Sequence, residues 1–414
     1  MELPVNPHPS DPAPLADHSV FALSAACGFA VASLYYSQPL LPVMAASLAA
    51  GSFAQGAIAM LTQFGYASGL LLFGPLGDRL DRRALILTLL AVNVAALASC
   101  AMATSLMWLL IASAVLGLTA ISAQVVIPAV SGRADPARRG QTVGRLMSGL
   151  FAGTLLARTV SGYLGAHFGW RTTFEVAAAL EFVPMVLVWR FLPSTVPDTA
   201  LAYPRLLRSL WDLLRTQPRL REACVTGFVL YAAFNVLWGS LALMLARPPY
   251  HWGSDVTGLF GLVGLTGMLA SPATGRLADR WGGRRVVALA AVSIMAAFVL
   301  IAGAGRSMGW LLAGILLLDL GSRANLVANQ TRLYAFLPHA RGRLNTVFMT
   351  SYFLGGAMGS ALGTAVAARF GWTGVSAAGL LCGAAALGAT AKFRAAAGGR
   401  EDAWLRHPAT SSGK

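Results

Sequence analysis

The chain has 414 residues, of which 56% are hydrophobic and only 11% are charged, and its formal net charge is +15. A soluble protein of this length would carry about 25% charged residues, so most of this chain must lie in lipid. The basic residues fall in short segments between apolar runs and form no soluble basic domain, which argues against a nucleic-acid partner. The runs are rich in Leu, Ala and Gly without alternation, unlike the strands of a membrane barrel.

The apolar runs recur at a length of about 20 residues, which is enough for a helix to cross a bilayer. We therefore predict an all-α integral membrane protein with twelve transmembrane helices in two groups of six. The first six spans are 19–45, 54–76, 84–104, 107–132, 141–166 and 171–192. The second six are 222–246, 254–277, 286–305, 308–336, 343–368 and 371–393.

Three polar segments complete the predicted organisation. Segment 1–18 is proline-rich and is expected to be a disordered cytoplasmic tail, and 394–414 a second tail. Segment 193–221 is expected to be a cytoplasmic linker between two bundles, 19–192 and 222–393. Its middle, LLRSLWDLLR, is amphipathic, which suggests a helix at the membrane surface. The linker is interpreted as a passive tether or, alternatively, as a regulatory element.

The orientation of the chain in the membrane follows from the positions of the basic residues. Most of the 31 Lys and Arg residues fall on one side when both termini are cytoplasmic, as the positive-inside bias requires.

The four cysteines stand singly in apolar segments, without the spacing of metal ligands. We expect no metal, nucleotide or other cofactor.

Two charged segments interrupt the apolar pattern and resemble each other: GPLGDRLDRR at 74–83 and GRLADRWGGRR at 275–285. Asp78 and Asp279 are 201 residues apart. Segments 148–170 and 350–372, which begin within the fifth and eleventh spans, also correspond at an offset of 202, and both end in the tripeptide FGW. The similar segments occur in the same order in both halves and at nearly the same offset, which predicts a duplicated six-helix unit.

With these features the chain resembles the major facilitator superfamily over about residues 19–393. GPLGDRLDRR matches the family's cytoplasmic loop motif, and the second segment is a degenerate copy of it. The resemblance implies two six-helix bundles around a central cavity, which rock to expose the cavity to either side of the membrane. It also implies a bacterial inner-membrane transporter for a small organic molecule, working as a monomer and coupled to protons.

The loop motif has a physical interpretation. A carboxylate is favoured at a helix N-terminus, and in the family the residue equivalent to Asp78 docks at the start of the eleventh helix, here near Arg341. We interpret Asp78 and Asp279 as parts of a gating latch. The positive-inside bias explains the arginines of the motif but not the two aspartates, because acidic residues contribute little to the orientation of the chain in the membrane. The candidate gating residues are Gly74, Asp78, Arg79, Arg82, Arg83, Asp279 and Arg280.

Ionisable residues at membrane depth indicate a functional site. Asp319 and Arg323 lie four residues apart on the tenth span and could bind substrate, carry a proton or neutralise each other. Arg158 and Glu181 lie at similar depths, ~12–15 Å from the outer ends of their spans at ~1.5 Å per residue. They could form a structural pair, or Arg158 could face the cavity and hold an anionic group of the substrate.

Neutral polar residues form a second set of candidates, each of which could line the cavity or form an interhelical hydrogen bond. They are Tyr35, Gln38, Gln124, Asn235, Trp238 and Asn325.

The leading prediction is export of a small molecule against proton entry, and the alternative is proton-coupled uptake on the same scaffold. Proton-driven exporters often carry an Arg where this chain has Ser113, and a Gly-Pro pair in the fifth helix, which this chain lacks. A non-transporting sensor is a third possibility. No enzyme is expected, since the catalytic motif HExxH and the phosphate loop are absent from the sequence.

Overall fold

The computed structural model describes residues 15–135, 138–194, 202–264, 276–277, 280–336 and 340–406, and the regular structure in these ranges is helical. The first half contains α1 (Asp17–Ala32), α2 (Leu41–Ser47), α3 (Ser52–Phe73), α4 (Arg82–Met102), α5 (Leu106–Thr119), α6 (Ser122–Ser131), α7 (Arg139–Phe168), α8 (Trp170–Leu180) and α9 (Phe182–Phe191). Short 3-10 turns cover Gln38–Leu40 and Pro75–Asp78. The second half contains α10 (Tyr203–Thr216), α11 (Pro218–Leu245), α12 (Ser254–Val263), α13 (Gly283–Ala302), α14 (Met308–Phe336) and α15 (Arg341–Arg406).

Eight helical stretches of the described residues are long and apolar enough to cross a membrane. The last stretch, Arg341–Phe393, has 53 residues and bends at Gly371. At ~1.5 Å per residue it is long enough for two crossings. The prediction of an all-α membrane protein is confirmed. The predicted eighth span, 254–277, is described only as far as Gly264 and at 276–277, so most of its second half lies outside the described residues.

Three of the predicted spans are interrupted rather than continuous. The first breaks between α1 and α2, the fourth between α5 and α6, and the sixth between α8 and α9. The break in the first span contains Gln38 and Pro39, and the break in the sixth contains Glu181. Proline cannot donate a backbone hydrogen bond, and irregular backbone at membrane depth is tolerated only inside the protein. The interruptions in the first and sixth spans therefore bring the polar side chains of Gln38 and Glu181 into the interior.

The duplication is visible in the backbone. Gly169 and Gly371, the central residues of the two FGW tripeptides, both have a positive φ, at 90° and 58°. Gly51 and Gly253, which precede α3 and α12, share a φ of −78°. The two halves thus bend and restart their helices at equivalent positions. Of these four glycines, only Gly169 and Gly371 have a positive φ, which residues with a side chain rarely adopt.

Helix packing depends on small residues that let backbones approach closely. A Cβ atom on Gly153 of α7 would lie 2.0 Å from the backbone oxygen of Gly28 on α1. In the second half, a Cβ on Gly359 of α15 would lie 2.2 Å from the oxygen of Ala232 on α11. The halves meet through α3 with α15 and α7 with α12, where a Cβ on Gly162 would lie 2.3 Å from the oxygen of Ser254. Such contacts replace the hydrophobic driving force, which is absent in lipid.

This packing can be tested with two alanine substitutions in one helix. Gly153→Ala forces α1 and α7 apart and should lower the free energy of unfolding by about 1–3 kcal/mol, as overpacking of a core does. Gly144→Ala is the matched control, because a Cβ at Gly144 meets nothing within 4 Å. Thermal unfolding of the purified protein in detergent should show a lower midpoint for the first variant only. Equal midpoints for the two variants would contradict this account of the interface.

Candidate functional site

Arg158 lies at the centre of the molecule, between the two halves. Its side chain is buried, and its Nε donates a hydrogen bond of 2.7 Å to Oε1 of Gln38. The guanidinium carbon lies 4.6 Å from the ring centre of Tyr35 and 4.3 Å from that of Trp238. The break in the first span places Tyr35 and Gln38 there, and α11 of the second half contributes Trp238.

Arg158 forms no direct ion pair in the described structure, although the Asp319 carboxylate is close enough to interact with its charge. Among the residues that the structure describes, no carboxylate lies within ion-pair distance of the guanidinium. Aromatic faces attract a cation, but they do not neutralise it. A buried charge without a partner is unfavourable, so an anion entering this site would be stabilised. The predicted pair with Glu181 is not formed between these two described side chains. Glu181 lies at the break between α8 and α9, and its Oε1 is buried without a hydrogen-bond partner.

Asp319 and Arg323 extend the charged centre onto α14. Asp319 is 2% exposed, and its Oδ2 has no hydrogen-bond partner in the described structure. A Cβ on Gly264 would lie 3.1 Å from this oxygen and 2.8 Å from Leu155, one turn before Arg158 on α7. The Arg323 guanidinium lies 4.5 Å from the ring centre of Phe151, on the same helix as Arg158. Although both are described, Asp319 and Arg323 form no ion pair with each other, so they do not neutralise each other by direct contact.

An aromatic wall, which the sequence analysis did not identify, adjoins this cluster. Tyr231 of α11 stacks on Tyr352 of α15 with ring centres 3.8 Å apart. Tyr231 also stacks on Phe234, whose ring centre is 5.9 Å from that of Trp238. Tyr66 of α3 joins through Phe353 at 4.2 Å. The helical spacing of Tyr231, Phe234 and Trp238 was the available signal, but the same spacing is typical of an ordinary core.

Several neutral polar candidates have buried hydrogen-bonding atoms without partners in the described structure. Asn235 donates to the Tyr231 backbone oxygen at 3.0 Å, while its Oδ1 has no partner. The Nε1 of Trp238 and the Nδ2 of Asn325 are also buried without partners in the described structure. Asn325 Oδ1 accepts from Asn329 at 2.8 Å, as in an ordinary intrahelical bond. Gln124 is half-buried on α6. Buried polar atoms normally have partners, so this group of unpaired atoms indicates a place for a ligand.

A second buried charge cluster lies at the arginine-rich end of the second half. Glu222 of α11 is 1% exposed and accepts from Arg284 of α13 at 2.8 and 2.6 Å. Its Oε2 is also 2.9 Å from Nη2 of Arg332 on α14. Arg332 reaches Asn329 at 3.4 Å, and Asn329 donates to Thr226 at 3.3 Å. Glu222 is not among the residues predicted from the sequence, since it lies at the edge of a predicted span. In the structure, its carboxylate ties three helices together.

The first loop motif lies against the start of α15. A Cβ on Gly74 would lie 3.2 Å from Oγ1 of Thr346. Arg82 folds back onto the loop, donating to the Gly77 oxygen at 2.9 Å and to Asp78 at 3.2 Å. Arg83 donates to the Trp189 backbone oxygen at 2.5 Å, so both arginines make specific contacts. Arg79 and Arg280 are exposed, and Asp279 lies outside the described residues.

Two membrane-embedded halves around a buried charged and aromatic centre define the class of α-helical membrane transporters. The family model of the Major Facilitator Superfamily matches residues 22–242 and 223–406. The chain belongs to this superfamily, and its fold is the superfamily's two six-helix halves.

Relatives and solved structures agree with this assignment. The chain is 38% identical over 360 residues to the "Putative uncharacterized transporter YgaY" of Escherichia coli, covering 87% of this chain and 91% of YgaY. It is 24% identical over 374 residues to the "Multi-drug resistance efflux pump PmrA" of Streptococcus pneumoniae, covering 85% and 90%. The crystal structure of the nucleoside transporter NupG superposes with a TM-score of 0.72 at 14% identity, covering 91% and 99%.

The Glu222 cluster provides a test that separates buried from exposed ion pairs. Glu222→Gln removes the charge that two arginines share in the interior and should cost about 3–5 kcal/mol of stability. Asp17→Asn breaks the ion pair between Asp17 and Arg145. The Asp17 side chain is 76% exposed, so this variant should lose only about 0–1 kcal/mol of stability. Thermal unfolding in detergent compares the two. A loss no larger for Glu222→Gln than for the control would contradict a structural role.

Proposed function

We propose that this chain is a secondary transporter of the bacterial inner membrane that carries a small organic anion by alternating access, coupled to protons. The observation that carries the proposal is Arg158, a buried cation held between Tyr35 and Trp238 with no carboxylate at ion-pair distance in the described structure. A substrate carboxylate or sulfonate would supply the missing negative charge. Guanidinium binds such groups through two parallel hydrogen bonds, which also fixes the orientation of the substrate.

The body of the substrate is expected to be planar and apolar. The aromatic wall of Tyr231, Tyr352 and Phe234 adjoins Trp238, and offset stacking favours flat rings. The unpaired Nε1 of Trp238 and Oδ1 of Asn235 offer one donor and one acceptor to polar substituents. An aromatic monocarboxylate matches this combination of groups.

For direction, we propose export against proton entry, which the likeness to the efflux pump PmrA supports. One observation favours the second candidate, proton-coupled uptake. Asp319 lies beside the residues that flank Arg158, so its negative charge opposes an anion at that site. Protonation of Asp319 would remove this repulsion and tighten anion binding. Because linkage is reciprocal, the anion would equally favour protonation of Asp319, which is the coupling that a symporter needs.

The experiment uses purified protein in liposomes that contain a pH-sensitive dye, with a panel of aromatic and aliphatic carboxylates. Wild type should move at least one aromatic carboxylate. Arg158→Gln should weaken its binding by about 10–100-fold, the loss of one charged hydrogen-bonded contact. Arg158→Lys keeps the charge and should retain part of the binding. If Arg158→Gln transports the carboxylate like wild type, Arg158 does not hold the substrate and the proposal fails.

The same liposomes decide the direction of coupling. With acid outside, a symporter accumulates substrate inside and an antiporter expels preloaded substrate, whichever way the protein is inserted. Asp319→Asn should abolish proton movement by removing the titratable group, while exchange of labelled for unlabelled substrate continues. Proton movement that persists in this variant would exclude Asp319 as the carrier. Substrate movement without any proton flux would contradict proton coupling altogether.

We also propose that Asp78 acts as a gating latch at the start of α15, supported by the contact of Gly74 with Thr346. Asp78→Asn should slow transport by about fivefold or more, since a carboxylate contributes about 1 kcal/mol at a helix N-terminus. Initial rates at equal protein amounts in liposomes measure the effect, with Asp17→Asn as the control acid at the same end. An unchanged rate would leave Asp78 with no role in gating.

A further inference from the structure

Helix α10 lies between the two halves and presents two different faces. Its inward face buries Leu206 and Leu210, and the helix packs on α11, on α15 and on the 3-10 turn Pro75–Asp78 of the loop motif. The hydroxyl of Tyr203 donates to the Leu72 backbone oxygen at 2.8 Å, which fixes the beginning of α10 to the end of α3. The linker helix thus contacts both halves where α3 and α15 meet.

The outward face is a basic stripe, defined here as Arg205, Arg208, Trp211 and Arg215. These residues follow each other at intervals of three or four, so they lie on one side of the helix. All four are exposed, and Trp211 is 57% exposed. The Arg215 guanidinium lies 5.9 Å from the ring centre of Trp211. None of the three arginines forms an ion pair with a residue that the structure describes, and the single acidic residue of the helix, Asp212, lies on the same exposed side, four residues after Arg208.

The beginning of α10 lies near lipid. Tyr203 is bonded to the end of α3, where Leu71 and Leu72 are each 39% exposed on a membrane-spanning helix. Exposed apolar side chains on such a helix face the acyl chains. Tryptophan concentrates at the interface between acyl chains and headgroups, and arginines near that level extend toward the phosphates.

We propose that the basic stripe of α10 is a docking surface for anionic phospholipid headgroups of the inner leaflet. The three guanidinium groups would bind headgroup phosphates, and Trp211 would enter the interface between them. Basic amphipathic helices bind membranes through this combination of aromatic insertion and attraction to anionic lipid. Since the opposite face contacts the loop motif and α15, bound lipid would hold α10 against both halves.

The test uses the full chain in lipid nanodiscs and measures amide hydrogen exchange of peptides that cover α10. One set of discs contains only phosphatidylcholine, and the other contains about 30% phosphatidylglycerol, enough to give a negative surface. Exchange in α10 should slow by about fivefold or more in the anionic discs, because attraction of the three arginines to the anionic surface favours the bound helix. High salt should reduce the protection, since it screens exposed charges.

Three variants separate charge from structure. The triple variant Arg205→Gln, Arg208→Gln, Arg215→Gln should exchange in anionic discs as wild type does in neutral ones. The triple Lys variant should keep most of the protection, because lysine retains the charge. The double variant Arg306→Gln, Arg369→Gln removes charge at the opposite end of the bundle and should keep the full lipid effect. Unchanged exchange in α11 would show that the variants remain folded.

Two results would overturn the proposal. Equal exchange of wild-type α10 in neutral and anionic discs would mean that the stripe does not bind anionic lipid. Protection that survives in the triple Gln variant would mean that the arginines are not responsible. Inorganic phosphate added to neutral discs distinguishes the sources of the anion. Protection by free phosphate equal to that by phosphatidylglycerol would indicate a soluble-anion site instead of a membrane surface.

Discussion

The absence of water from the bilayer core is the constraint on which the rest of this structure depends. Every backbone N–H and C=O at membrane depth needs a partner within the protein, and helices provide it. Because lipid is as apolar as leucine, burial alone does not hold these helices together. The close contacts of Gly153 with Gly28 and of Gly359 with Ala232 perform that task through dispersion, which requires backbones to approach within van der Waals distance.

The same constraint explains why charge is so unevenly distributed. Two kinds of buried charge occur among the described residues, and they differ in how well they are compensated. Glu222 is enclosed by Arg284 and Arg332, so its carboxylate is fully paired and stabilises the contacts of α11, α13 and α14. Arg158 has aromatic faces and one amide oxygen as neighbours. A paired cluster is suited to holding helices in place, whereas a cation without a direct ion pair is suited to binding an anion that arrives and leaves.

Duplication gives the two halves equivalent bends but different interiors. Gly169 and Gly371 turn the backbone at the same point of each half, since both lie in FGW and both have positive φ. The position of Arg158 on α7 corresponds to Ser360 on α15, and the second half provides most of the aromatic residues of the wall. The asymmetry allows one central site to combine a cation from one half with stacking surfaces from the other.

The sequence by itself determined the all-α membrane class, the duplication and the loop motif, because apolar length and repeated glycines and charges are local properties of the chain. It also singled out Arg158, Asp319 and Trp238, since ionisable and polar residues are rare in lipid. The tertiary structure decided their partners. It joined Arg158 to Gln38 rather than to Glu181, and it brought Glu222 to two arginines. Pairing depends on the rotation and close approach of helices distant in sequence, and these are fixed by packing across the whole bundle.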